Sequence, residues 1–271
     1  MSRDARETIE AQDVKIMRPL TRHFALGLVM LTLGACASAT PPSRLGAYLG
    51  DMPLGTAEGT AAAPGQMRAG LVLVTDASAP DAAPGLPDEA VNRVGDTLRE
   101  QINRFLPSIR IESVIAVDGV LPGESAKLLA LAAKHSLDYL AVAVLSSTEV
   151  EYPMALFLGW TSHMQPGYRR DNWSLAELAL LEAKSGRVVL RAEGRAMASL
   201  DRPAAPGINQ WYPVIYLRPQ DPERRVWPPT YVGAPNTLRV VAMNQAVKRL
   251  VINLQDAWIQ KREIELSQTR S

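Results

Sequence analysis

The side chains able to do chemistry are few and scattered. The chain has three histidines, His23, His135 and His163, and one cysteine, Cys36. Zinc is held by Cys and His ligands at short paired spacings. No two histidines stand at such a spacing, so no metal and no disulfide is expected. Ser162 and His163 are adjacent, but a serine hydrolase needs a base aimed at its nucleophile and an acid behind that base. No G-x-S-x-G turn surrounds the pair. Glu149 and Glu151 are two residues apart, which on an extended backbone puts both carboxylates on one side. A glycosidase pair instead flanks its bond across a cleft. Neither G-x-G-x-x-G nor G-x-x-x-x-G-K-[ST] is present, so no cofactor is expected.

The elements that would position these groups are easier to read. GLVLVTD (70–76) is a short apolar run ending at a turn, which predicts a buried strand. Val91, Val94, Leu98, Ile102 and Phe105 recur at helical spacing over 88–106, between Pro87 and Pro107. IRIESVIAV (109–117) alternates as a half-exposed strand, and ESAKLLALAAKHS (124–136) reads as a short helix closed by His135. LDYLAVAVL (137–145) is apolar throughout, as a strand covered on both faces should be. SLAELALLE (174–182) and RVVLRAEGRAMASL (187–200) form a hairpin around AKSG. On its second arm Ala192, Gly194, Ala196 and Ala198 share a face, leaving room for a helix to pack close. The closing helix is expected over 237–266, with Val240, Met243, Val247, Leu250, Val251, Leu254 and Trp258 as its apolar stripe.

The order β-α-β-α-β-β-β-α with right-handed crossovers predicts a three-layer α/β domain. Its mixed sheet should run 2-1-3-4-5, with an antiparallel C-terminal hairpin. Open sheets of this kind bind ligands where the strand order reverses. That point falls between the loops after the first and third strands, so a ligand there would meet Asp76, Ser146, Ser147 and Glu149.

Charge narrows the partners. Residues 1–35 carry five basic and four acidic residues of the total 29 and 28, leaving 24 of each and no net charge beyond them. A neutral domain has no field to gather a polyanion, so nucleic acid is not expected as a partner. At the N-terminus, Arg18, Arg22 and His23 precede the ten-residue apolar run Phe24–Leu33, too short to span a bilayer. A basic head, apolar middle and small-residue end make a secretory signal. Met17 just ahead of Arg18 marks an alternative start, so residues 1–35 read as an upstream extension plus signal peptide. Leu33-Gly34-Ala35-Cys36 resembles the bacterial lipoprotein box. The resemblance implies palmitate-type acylation of Cys36 and anchoring to a membrane. Ala37, in place of aspartate, implies the outer membrane of a Gram-negative bacterium, with the domain in the periplasm.

Residues 36–68, rich in Ala, Pro, Gly, Ser and Thr, read as a flexible tether ahead of a single domain over 69–266. About 30 such residues give an end-to-end distance near 30 Å, and about 100 Å when stretched. Two further segments do not look like scaffold. One is a long loop over 147–173 carrying Trp160. The other is an insert over 201–236, which in its stretch 202–235 holds eight prolines beside Trp211, Tyr212, Tyr216, Arg224, Arg225, Trp227 and Tyr231. Aromatics and arginines are common interface anchors, so these residues are the expected partner surface.

GLVLVTD, HSLDYLAVAVL and LLEAKSGRVVLRAEG together resemble a group of envelope proteins. The group comprises the curli-secretion lipoproteins, the outer-membrane activators of penicillin-binding proteins, and the N-terminal domain of TolB-type proteins. The resemblance covers residues 70–200 and the last helix, and departs from the group in the large insert and in lacking a membrane-spanning hairpin. It implies a non-catalytic lipoprotein that binds an envelope protein partner or its own copies. The alternative is a periplasmic hydrolase acting on cell-wall or lipid material, built on His163 and nearby carboxylates.

Overall fold

The structure, a computed structural model, describes residues 41–53, 67–106, 108–115, 121–156, 164–204, 214–218 and 225–269. Along the chain run α1 (Leu45–Leu49), β1 (Met67–Asp76), α2 (Asp88–Phe105), β2 (Ile109–Ile115), α3 (Ser125–Lys134) and β3 (Tyr139–Leu156). They are followed by β4 (Gln165–Glu182), β5 (Val188–Pro203), β6 (Val214–Arg218), β7 (Arg225–Val226) and α4 (Ala234–Thr269). The strands form one mixed sheet of order β2-β1-β3-β4-β5-β6-β7. β1 is parallel to β2 and β3, and every later pairing is antiparallel. The expected 2-1-3-4-5 core is present, extended by two short strands.

Alternation along β3 explains its apolar run. Ala141, Ala143 and Leu145 pack with Val94, Leu98 and Ile102 of α2 and with Val247, Leu250 and Leu254 of α4. Leu140, Val142 and Val144 face the other way, against Leu128 and Ala132 of α3 and Leu45, Tyr48 and Leu49 of α1. The first two crossover helices therefore lie on opposite faces, as the strand order requires. A third apolar cluster joins Leu238 and Ala242 of α4 to Ala198, Leu200 and Ile215.

The small-residue row on β5 does what its composition predicts. A β-carbon placed on Gly194 would lie 2.1 Å from the Ala246 carbonyl oxygen and 2.2 Å from the Leu250 nitrogen. Helix backbone rests directly on strand backbone here, an approach only glycine allows. Polar side chains of α4 then run along the part of β5 that no strand among the described residues covers. Arg249 donates to the Arg195 carbonyl (2.5 Å), Asn253 to that of Glu193 (2.7 Å) and Lys261 to that of Val189 (3.2 Å). An exposed row of carbonyls is a template for unwanted pairing, and these three donors occupy it.

Three sequence expectations are corrected. The tether over 36–68 does not hold for residues 41–53, where α1 buries Leu45, Tyr48 and Leu49 under the sheet. Each such side chain contributes on the order of 1.5–3 kcal/mol when buried, enough to hold a single helical turn that would not persist alone. Within the range 147–173, residues 147–156 and 165–173 are instead the far halves of two paired 18-residue strands, in register from Tyr139↔Glu182 to Leu156↔Gln165. Their charged residues conceal the strand pattern because they are paired across the sheet. The insert over 201–236 supplies the end of β5, then β6 and β7 at the sheet edge, and the start of α4.

Candidate functional site

The pleat divides the ligand residues expected at the strand reversal. Asp76 and Ser146 are register partners and share the face covered by α1 and α3. Ser147 and Glu149 lie at the alternate positions and face α4. The loop after β1 does reach β3: Ala83 donates to the Ser147 carbonyl and Glu149 N–H to that of Asp81. The four residues do not converge on one cavity.

On the α1 face the strand-reversal site is filled by the chain itself. Asp76 is buried, and its Oδ2 accepts from the Tyr48 hydroxyl (2.8 Å) and Arg44 Nε (3.2 Å). Its Oδ1 accepts from the Ser78 N–H (2.9 Å) and hydroxyl (2.6 Å). Burial alone would raise the Asp76 pKa, but hydrogen bonds from Ser78, Tyr48 and Arg44 to the charged form outweigh it and hold the carboxyl below its ordinary value. Tyr48 moves the other way, pushed up to about 12 by burial and by its bond to Asp76. Beside this pair the Ser146 hydroxyl is buried without a hydrogen-bond partner.

A second buried carboxylate completes the clasp. Glu177 lies in the middle of β4, 1% exposed, facing α1. It accepts the N–H groups of Arg44 (2.7 Å) and Leu45 (3.0 Å) and the Ser43 hydroxyl. Those are donors that the first turn of α1 cannot satisfy within itself. Arg195 reaches the same segment, donating from Nη1 to the Pro41 carbonyl (3.4 Å). Two acids on the sheet therefore grip residues 43–48. Sequence reasoning missed Glu177, though SLAELALLE carries the signal: an acid in an otherwise apolar strand must have a buried partner.

The far end of the β3–β4 pair holds a different network, on the α4 face. Arg239, at the start of α4, forks onto Glu149 (Nε to Oε2 2.8 Å, Nη2 to Oε1 3.0 Å). Arg170 donates to Glu149 (3.2 Å) and Glu151 (2.7 Å), and Arg202 to Glu151 (3.0 Å). Arg202 also lies over the Tyr168 ring, 5.6 Å from its centroid. Beside this network is a cavity of about 170 Å³, lined on one side by Tyr168, Leu200 and Arg202 and on the other by Tyr231, Val232 and Pro235. Val232 is 91% exposed, and Trp227 and Met164 are each 56% exposed.

Of the expected partner surface, Tyr231 thus lines this cavity, and Trp227 is exposed nearby in the chain. Tyr216 is on β6 with Arg225 over its ring, 5.9 Å from the centroid. Cys36, Trp160, Trp211, Tyr212 and Arg224 lie outside the described residues, as do His23 and His163. No helix among the described residues is long and apolar enough to cross a membrane.

No family model matches the chain, and no curated protein matches it. Solved structures similar to it include a putative neuraminyllactose-binding hemagglutinin homolog from Helicobacter pylori. It is 9% identical, with 76% of this chain and 91% of that chain covered and a TM-score of 0.35. Rare lipoprotein B from Shewanella oneidensis is 11% identical, with 73% and 98% covered and a TM-score of 0.27. The PelC dodecamer from Paraburkholderia phytofirmans is 14% identical, with 70% and 88% covered and a TM-score of 0.28. Likenesses at this level assign neither a family nor a role.

Proposed function

We propose that this chain is a non-catalytic outer-membrane lipoprotein, acylated at Cys36, whose α/β domain recognises an envelope protein partner or another copy of itself. The Leu33-Gly34-Ala35-Cys36 box supports the anchor. The observation that carries the binding role is the far end of the β3–β4 pair, where Tyr168, Tyr231 and Val232 frame a small cavity beside exposed apolar residues and a fixed array of arginines. Aromatic and arginine side chains already held in place lose little freedom on binding, which suits them to anchor a partner. The Asp76 carboxylate, by contrast, has its hydrogen-bonding capacity taken up by Arg44, Tyr48 and Ser78. That favours binding over hydrolysis at the strand reversal.

A photo-crosslinking residue placed at Val232 in cells tests the reading, with Arg110 on the opposite sheet edge as control. Discrete crosslinked species from position 232 and none from 110 are expected. Uncrosslinked monomer from both positions, in cells that carry the acylated chain, would sink it.

A further inference from the structure

We infer that the outer edge of β5, with the adjoining stripe of α4, lies against the phosphate layer of the membrane that holds the anchor. This rests on the lipoprotein reading above. The argument begins with distance. Cys36 and Pro41 are five residues apart, which full extension stretches to about 18 Å at most. From Pro41 to Leu45 the chain is clasped: Arg195 holds the Pro41 carbonyl, and Glu177 holds Ser43, Arg44 and Leu45. An acyl group on Cys36 therefore draws the surface beside Arg195 to the bilayer. The long leash expected from composition is replaced by a short one attached at a known place.

The chemistry of that place fits a lipid headgroup. A groove of about 450 Å³ runs along the β5 edge, lined by Glu193, Arg195, Arg249, Ile252 and Asn253. The Arg191 and Arg195 side chains are 44% and 41% exposed. Lys248 is exposed one turn before Ile252 on the same stripe of α4. Glu177, Glu193 and the exposed Asp256 are the acids nearby, with Arg195 paired to Glu193 and Arg191 3.9 Å from Glu177, so basic groups outnumber acidic ones four to three. Guanidinium forks match phosphate oxygens, and basic side chains next to a membrane are drawn to its surface. Ile252, 57% exposed, adds an apolar side chain at the rim.

The test uses the full acylated chain, purified from membranes and returned to vesicles of phosphatidylethanolamine and phosphatidylglycerol. Spin labels are placed through Ile252→Cys or, at the opposite sheet edge, Arg110→Cys. Relaxation by nickel chelated to headgroups is then measured. It should be at least five-fold stronger at position 252 than at 110. Equal relaxation, or stronger relaxation at 110, overturns the orientation. Fifteen Gly/Ser residues inserted between Ser38 and Ala39 should weaken the effect at 252 three-fold or more. No change would overturn the short leash as its cause. Mass spectrometry of the N-terminal peptide separates the two readings. A chain without an acyl group overturns the lipoprotein reading itself, whereas an acylated chain with equal relaxation at both positions overturns only the orientation.

Discussion

The two faces of the sheet are covered by opposite means. α4 lies on one face over apolar side chains, with its backbone against Gly194. Residues 41–53 lie on the other face, where one apolar turn is backed by two buried carboxylates that hold its polar groups. Apolar burial has no titratable switch. A carboxylate clasp does, because each bond depends on the charged acid or on its neutral donor. α4 is therefore built to stay closed, whereas residues 41–53, which share their face with the apolar packing of α3, are held on terms that pH and single polar substitutions can change.

The contrast is sharpest at Gly194. Gly194→Val forces branched carbon into helix backbone and should cost about 3 kcal/mol or more, read as a lower denaturation midpoint for the whole domain. A variant as stable as the parent would mean that α4 can shift away, so that this face is not rigid. Glu177→Leu should act locally. The loss leaves the donors of Ser43, Arg44 and Leu45 unmet, at about 1–3 kcal/mol. Amide exchange at Leu45, Tyr48 and Leu49 should then rise ten-fold or more, with little change in α4. Equal acceleration in both regions would erase the distinction.

The smallest effect is that of pH. The folded Asp76 pKa lies below the unfolded value, about 3.9 for aspartate. Its contribution is therefore complete above that pH and is lost as pH falls through the lower folded value. Tyr48, raised to about 12, contributes fully below its ordinary value of about 10 and loses that contribution between the two. Protease resistance of residues 41–53 should be flat from pH 5 to 9 and fall outside those limits, and Asp76→Asn should remove part of the acid step. An acid step unchanged in that variant would assign it to other groups.

The strands from β1 to β5 and three of the four helices were legible because their apolar side chains follow the helical and strand periods. Even the close approach at Gly194 could be read from four small residues in alternation. α1 was not legible, since Leu45, Tyr48 and Leu49 make one turn among Pro, Gly and Ser residues, and that turn is held by Asp76, 28 positions beyond Tyr48, and by Glu177, more than a hundred positions away. The far half of the β3–β4 pair was hidden for a related reason. Glu149, Glu151, Arg169 and Arg170 break the apolar strand pattern until their cross-strand and helix partners are known, and Arg239 comes from a distant helix. Of the expected ligand residues, adjacency of the β1 and β3 strand ends was foreseeable. The division of Asp76 and Ser146 from Ser147 and Glu149 followed from odd and even numbering alone.

The α4 donors along β5 amount to two rulers laid side by side. Four helical residues advance about 6.0 Å, while two strand residues advance about 6.6 Å. Residues 249, 253, 257 and 261 thus fall nearly in step with strand residues 195, 193, 191 and 189, slipping about 0.6 Å at each graduation. The shortest of the three donors, Asn253, reaches Glu193, and the long side chains of Arg249 and Lys261 stand at the two ends, where the slip has grown. Ala257, opposite Arg191, makes no graduation at all. A helix can imitate a missing strand over about this length, and the mismatch of pitches sets the limit.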